Sequence, residues 1–182
     1  MRQALCIAVA ILVGGTASTL AGANAVGVGA HVADFKASDA QEGKTFIGGQ
    51  LRLKLGGGLG LEASIDYRED RYESAEQQVM LKSVPLLFSL TAELLPRSPI
   101  TPYLLGGGGF YFTKIRLKTD FVDIDDSQTK FGYHLGGGVL VKPGSRIGIH
   151  ADYRYTAVSI KISDLKFDAN GRMITAGLTV YF

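Results

Sequence analysis

Apolar and polar residues alternate with a period of two along most of the chain after residue 25. The clearest stretch is 59–68, whose apolar positions are Leu59, Leu61, Ala63, Ile65 and Tyr67. Glycine and polar or charged residues fill the positions between them. Because successive side chains of a strand point to opposite faces, this period predicts β-strands with one apolar and one polar face.

Eight segments with this pattern can be counted. They lie near 26–36, 44–55, 59–70, 78–94, 101–117, 129–142, 146–161 and 172–182. The segment 78–94 is the hardest to assign, because its apolar residues are dense enough to suggest a helix. Pro85 stands in its middle, where a helix would lose about 3 kcal/mol. Residues 86–94 still alternate, so we predict a strand here too.

The connections between the segments alternate in length. Short turn signals occur at 56–58, 96–99 and 143–145. Longer polar stretches, which we expect to be loops, occur at 37–43, 70–76, 118–128 and 163–171. Each strand should then turn back on its neighbour, with four loops at one end and the tight turns at the other. The first and last strands can pair, which predicts an all-β, eight-stranded antiparallel up-and-down barrel.

The direction of the two faces decides whether this barrel is soluble or transmembrane. The polar face carries Arg52, Glu62, Asp66, Arg68, His150, Asp152 and Arg154, whereas the apolar face carries almost no charge. An eight-stranded barrel has an interior just wide enough for side chains, where opposite charges can pair. We therefore predict charges inside and lipid outside, in preference to a soluble periplasmic barrel that binds a ligand. Aromatic residues at the lipid interfaces are expected at Tyr67, Tyr103, Tyr153, Tyr155 and Phe182.

The first 25 residues resemble a secretory signal peptide. Arg2 precedes an apolar stretch at 5–13, and Ala23-Asn24-Ala25 is a small-x-small cleavage site. The stretch is shorter than the roughly 20 residues of a membrane-spanning helix, which disfavours an N-terminal anchor. Cleavage after Ala25 leaves a single domain, 26–182. The only cysteine of the sequence, Cys6, lies before that site, so no disulfide is expected.

Composition and charge agree with a closed sheet. The formal charge is +2 and no block of like charge occurs, so nothing indicates binding to nucleic acid. The sequence has 24 glycines, 8 tyrosines and 9 phenylalanines. Glycine weakens a helix by about 1 kcal/mol per residue, so this content favours strands. The glycine runs lack the following helix and Lys-Ser/Thr of a phosphate-binding loop, and we interpret them as structural.

Four motifs in order resemble the outer-membrane protein β-barrel domain family, which includes the OmpA, OmpX and OmpW types. They are SVPLL at 83–87, PYLLGGGG at 102–109, FGYHLGGG at 131–138 and DYRYT at 152–156. The resemblance implies an integral protein of a Gram-negative outer membrane, in contact with its lipid and lipopolysaccharide. It also implies that Phe182, the C-terminal aromatic, belongs to a signal recognised by the barrel assembly machinery. We expect a monomer.

These features favour a structural or surface-interaction role through extracellular loops, with a narrow channel for small or hydrophobic solutes as the alternative. The seven residues of the polar face could plug or gate the lumen, but a static polar core is the simpler interpretation. An enzyme is not expected, because His31, His134 and His150 have no clearly placed serine beside them. No cofactor or metal is expected either. The acidic tract within 120–126 lacks the glycine and terminal Glu of a calcium-binding loop.

Overall fold

The alternating segments form nine strands in the computed structural model. It describes residues 25–182 apart from 39–42, 75–76, 120–121, 163–164 and 169, and gives no side-chain detail for 37, 68–81, 115–126 and 158–168. The strands are β1 (Ala25–Ala37), β2 (Lys44–Gly56), β3 (Leu59–Ser74), β4 (Gln77–Glu93), β5 (Ile100–Thr119), β6 (Val122–Val141), β7 (Ile147–Ile162), β8 (Leu165–Asp168) and β9 (Gly171–Tyr181). Residues 1–24 of the predicted signal peptide lie outside the described part.

The sheet closes on itself. All neighbouring strands are antiparallel, and β9 pairs with β7 on one side and with β1 on the other. The closing contact between β1 and β9 runs from Gly27↔Tyr181 to Ala37↔Gly171. The short strand β8 pairs only with the end of β7, so eight strands form the wall. The predicted eight-stranded antiparallel barrel is confirmed. Within the described residues, no helix is long and apolar enough to cross a membrane.

The ambiguous segment around Pro85 is a strand, as predicted, and β4 runs through the proline from Gln77 to Glu93. The ladder between β3 and β4 passes from Ile65↔Leu86 to Arg68↔Ser83 without a pair between them. That gap lies opposite Pro85, which has no N–H to donate to a ladder. The proline therefore interrupts one ladder locally and does not end the strand.

Three of the four polar stretches that we predicted to be loops, 70–76, 118–128 and 163–171, are largely strands. In the fourth, 37–43, only Ala37 among the described residues belongs to a strand. The pairing of β3 with β4 continues to Ser74↔Gln77, and that of β5 with β6 continues to Thr119↔Val122. Strand β8 likewise extends the end of β7 as a hairpin. The loop prediction failed because it relied on polarity, and a paired strand in water can be polar on both faces. Two extended hairpins, joined by pairing between β4 and β5, form a four-stranded extension of the wall.

The two faces point as the charge pattern predicts. The outer wall exposes large apolar side chains on every strand of the barrel, including Val32, Ile47, Leu61, Leu90, Leu104, Leu135, Ile149 and Leu178. Polar residues of the alternate register are buried inside. A soluble carrier with an apolar interior does not fit this arrangement. At the tight-turn end, Gly56, Gly57 and Gly58 all have positive φ, which glycine adopts without steric cost.

Candidate functional site: a charged network in the lumen

The lumen network begins at the tight turn between β2 and β3. Because this turn fixes the register, Arg52 and Glu62 are direct partners across the two strands. The Arg52 Nη2 lies 2.6 Å from Glu62 Oε2, and its Nε donates a hydrogen bond to the same oxygen at 2.8 Å. Both side chains are buried. The two side chains therefore meet at the same height in the lumen.

A second arginine joins opposite walls of the barrel. Arg154 on β7 donates from Nη2 to Glu62 Oε1 at 2.9 Å and from Nε to Asp152 Oδ1 at 2.6 Å. In the closed order of eight strands, β3 and β7 are four strands apart in both directions. The contact between Arg154 and Glu62 therefore crosses the lumen.

Tyr103 completes the network from β5. Its hydroxyl donates to Asp152 Oδ2 at 2.7 Å, and the Arg52 guanidinium carbon lies 5.7 Å from its ring centroid. The prediction that Tyr103 faces lipid was wrong, since it is 3% exposed. The apolar residues around it and the glycines at 106–109 left the two faces of β5 hard to tell apart. Tyr67, Tyr153, Tyr155 and Phe182 are exposed on the outer side, as predicted.

Three further polar contacts in the lumen each join two strands that are separated by a third strand. In each case the residue of the middle strand that lies between the two side chains is a glycine. His31 Nε2 and Asp66 Oδ1 are 2.5 Å apart, with Gly48 in register between them. Ser89 and His134 hydrogen-bond across Gly107 at 2.8 Å, and Gln50 donates to Thr179 across Gly29 at 2.7 Å. A missing side chain on the middle strand opens the space through which its neighbours meet.

Two layers lie on either side of the polar contacts. Towards the hairpin end, Ala33, Phe46, Leu87 and Met173 form a buried apolar cluster. At the tight-turn end, the Lys142 ammonium is 2.6 Å from Glu93 Oε2. A cavity of about 30 Å³ beside Arg52, Tyr103 and Tyr181 has room for about one water molecule. The interior is thus layered and not uniformly polar.

The predicted lumen residues do not all join one cluster. Arg52, Glu62, Asp152 and Arg154 are connected by ion pairs, and Asp66 belongs to the separate contact with His31. His150 is buried, but its ring nitrogens have no hydrogen-bond partner among the described residues. Arg68 of β3 pairs with Ser83 of β4, and the structure does not describe the Arg68 side chain. The side chains of 120–126 are outside them as well.

Several lumen residues were missed from the sequence. His31, Gln50, Ser89, Tyr103 and His134 all make side-chain contacts inside the barrel. Four of them could have been found by extending the inner register along each strand, because uncharged polar residues occupy it as readily as charged ones. Within the described residues, no group of His, Cys, Asp and Glu is arranged to hold a metal ion.

The connected cluster is electrically balanced. Arg52 and Arg154 carry two positive charges, and Glu62 and Asp152 carry two negative ones. Burying charges is costly unless they are paired and hydrogen-bonded, and removing one partner of a buried pair typically costs 3–5 kcal/mol. This arrangement is suited to holding three strands, β2, β3 and β7, in fixed positions across a narrow interior.

A closed antiparallel barrel with an apolar outer wall and a charged interior defines the class of transmembrane β-barrels. The chain belongs to the outer membrane protein beta-barrel domain family, whose family model matches residues 6–182. This membership indicates the outer membrane. Comparison with the sequences of curated proteins finds no match.

Solved structures with the same fold come from several bacteria. Neisserial surface protein A is 20% identical, with a TM-score of 0.60 over 87% of this chain and 99% of that one. The N-terminal β-barrel domain of OprF from Pseudomonas aeruginosa is 13% identical, with a TM-score of 0.58 over 88% and 99%. Ail, the attachment invasion locus protein of Yersinia pestis, is 18% identical, with a TM-score of 0.57 over 87% and 97%. At these identities the likeness shows the fold.

Proposed function

We propose that this protein is a non-conducting barrel of the outer membrane that acts through the surface it presents outside the cell. The observation that carries the proposal is the contact of Arg154 with Glu62, which joins opposite walls of the lumen. Both side chains are at most 3% exposed. The adjoining Arg52, Tyr103 and Asp152 fill the same level, so the network acts as a plug.

The four-stranded extension supports a role at the surface. Beyond the last pair of β3 with β2, Ile47↔Tyr67, strand β3 continues through residues 68–74 paired only with β4. Seven residues of strand correspond to roughly 20 Å. Strands hold their positions more firmly than irregular loops, so the extension offers a fixed surface to a partner. Ala25 and Phe182, the first and last of the described residues, lie at the opposite end, which we assign to the periplasm.

Conductance in planar phospholipid bilayers tests the plug. We expect the wild-type barrel to give no steady current and Arg52→Ala with Glu62→Ala to give one, because two side chains leave the lumen while Arg154 keeps Asp152 as its partner. The control is Asp34→Ala with Arg172→Ala, which removes one charge of each sign from exposed positions on the outer side. Heat-dependent migration on a gel verifies that each variant is folded. A folded double variant with no current would contradict plugging.

A narrow channel for small solutes is the second candidate. Its support is a set of buried polar atoms without hydrogen-bond partners among the described residues, including both ring nitrogens of His150 and Asp66 Oδ2. Water in the lumen would provide hydrogen bonds to these atoms, and a conducting path must be filled with water. Steady current through the wild-type barrel, reduced by a bulkier residue as in Gly177→Leu beside His31 and His150, would favour this candidate.

A further inference from the structure

Lys54 brings a positive charge to the tight-turn end of the lumen. It follows Arg52 by two positions on β2, so it belongs to the same inward register, and it is half-buried. Its ammonium nitrogen lies 3.9 Å from the ring centroid of Tyr181. An aromatic ring attracts a cation but carries no net charge, so this contact does not neutralise Lys54. Among the side chains that the structure describes, Lys54 forms no ion pair.

The carboxylates at this end of the lumen already have cations of their own. Glu93 lies 2.6 Å from the ammonium of Lys142. The connected cluster is balanced, since its two arginines are paired with Glu62 and Asp152. Together with Lys54, these groups comprise four cations and three carboxylates. One positive charge is therefore left unmatched at the mouth of the lumen.

Lys54 and Thr91 lie on either side of a glycine. Gly60 pairs with Lys54 on one side and with Thr91 on the other, and a Cβ built on it would lie 2.8 Å from the Thr91 hydroxyl oxygen. In the three other contacts that span a glycine, the two side chains meet directly. Here the described side chains form no such bond. Because an ammonium only donates and a hydroxyl has one hydrogen to donate, a single acceptor between them would complete the arrangement.

The space beside Gly60 belongs to the cavity of about 30 Å³. Its charged and polar lining residues are Arg52, Lys54, Thr91, Glu93, Tyr103 and Tyr181. All of them except Glu93 can donate a hydrogen bond, and the Glu93 carboxylate is held by Lys142. A volume of this size holds one water molecule or one ion of similar size. Sulfate and phosphate, with four oxygens around a central atom, need more room.

We propose that this cavity binds one small monovalent inorganic anion of about the size of chloride. The anion lies between Lys54 and Thr91, accepts a hydrogen bond from each, and offsets the unmatched positive charge. Charge favours an anion over a water molecule, because hydrogen bonds between ionised groups are stronger than those between neutral ones. The site goes beyond the proposed plug, and it does not depend on whether the lumen conducts.

The test follows the nuclear magnetic resonance line width of chloride added to the refolded protein in zwitterionic detergent, with gluconate as the background anion. Chloride that exchanges with a protein site gives a broader line, and a competing anion reverses the broadening. We expect Lys54→Gln to weaken chloride affinity roughly tenfold or more, since a charge-assisted hydrogen bond is lost. At equal ionic strength, bromide should displace chloride from wild type and sulfate should not.

Glu93→Gln provides a change of opposite sign. It removes the carboxylate from the lining and releases Lys142 from its ion pair, so we expect chloride affinity to rise severalfold. The matched control is Arg97→Gln, which removes an exposed positive charge from the same end but not from the cavity lining. It should leave chloride affinity unchanged. Should Lys54→Gln fail to fold, Glu93→Gln still gives a comparison with wild type.

Equal chloride affinity of wild type and folded Lys54→Gln would overturn the proposal, and so would weaker binding by Glu93→Gln. Displacement of chloride by sulfate as readily as by bromide would show screening of surface charge and contradict a site of this size. A loss of binding in Arg97→Gln would place chloride at the exposed turns instead. The bilayer test measures current whereas this test measures anion occupancy, so a failure of the proposed plug and a failure of this site give different results.

Discussion

Single glycines decide which side chains meet inside this barrel. Gly48 lies between His31 and Asp66, and a Cβ built on it would collide with the Asp66 Oδ1 and the His31 ring. The neighbouring Gly49 faces outward, where the nearest atom to such a Cβ is 3.8 Å away. Two adjacent residues of one type therefore have different roles, which depend only on the face that each occupies.

Gly48→Ala is expected to lower the free energy of unfolding by about 1–3 kcal/mol, because overpacking separates a buried polar pair. Gly49→Ala is the control and should be neutral or slightly stabilising, since it restricts the unfolded chain. Urea unfolding in lipid vesicles, followed by tyrosine fluorescence, measures both. An equal effect of the two substitutions would show that the space at Gly48 is not required.

Residue contacts could be predicted only where a short turn fixes the register. The partnership of Arg52 with Glu62 follows from counting outward from Gly57. The contact of Arg154 with Glu62 could not be counted in this way, because it depends on the curvature of the closed wall. Tyr103 was misplaced for a related reason, since glycines in β5 hide which register faces inward.

At the scale of elements, strand identity was predictable and strand length was not. Alternation located the eight barrel strands, and Pro85 correctly excluded a helix in β4. The end of β3 was placed too early and the beginning of β6 too late, because the sequence becomes polar on both faces where the wall leaves the membrane. The change in polarity therefore marks where a strand leaves the membrane and not where the strand ends.

The hairpin of β5 and β6 beyond Lys114↔Ser127 should be dispensable for folding. Replacing residues 115–126 by Asn-Gly joins two register partners through the two-residue turn that hairpins favour. We expect the shortened protein to keep heat-dependent migration and its midpoint of urea unfolding. Replacing residues 103–106 together with their partners 135–138 in the wall is the control and should abolish both.

At the scale of the whole molecule, the fold follows from the family and the periodicity, whereas the role does not. The family model and the closed pairing agree on an outer-membrane barrel. The plug and the anion site are specific to the residues of this chain, and structures at 20% identity or less carry no information about them.

A substitution of Phe182 can distinguish folding of the barrel from its assembly into the outer membrane. Its backbone N–H donates to Val26 at 2.8 Å, while its side chain is 83% exposed. If the aromatic is read by the assembly machinery, Phe182→Ala should reduce the folded protein in outer membranes several-fold and leave refolding in vesicles unchanged. Ile174→Ala, on the same outward face of β9, serves as the control for lost apolar area. Equal levels of Phe182→Ala and wild type in cells would contradict the assembly role.

The pairing of β1 with β9 has a consequence for the order of events during folding. These strands are the first and last of the barrel, so the ring stays open until the end of the chain is in place. An open ring has two edges with unpaired backbone N–H and C=O groups. Each unpaired group costs several kcal/mol of free energy in hydrocarbon. Entry into the bilayer therefore cannot proceed stably one strand at a time. It must be concerted, or both edges must be shielded until residue 182 has arrived.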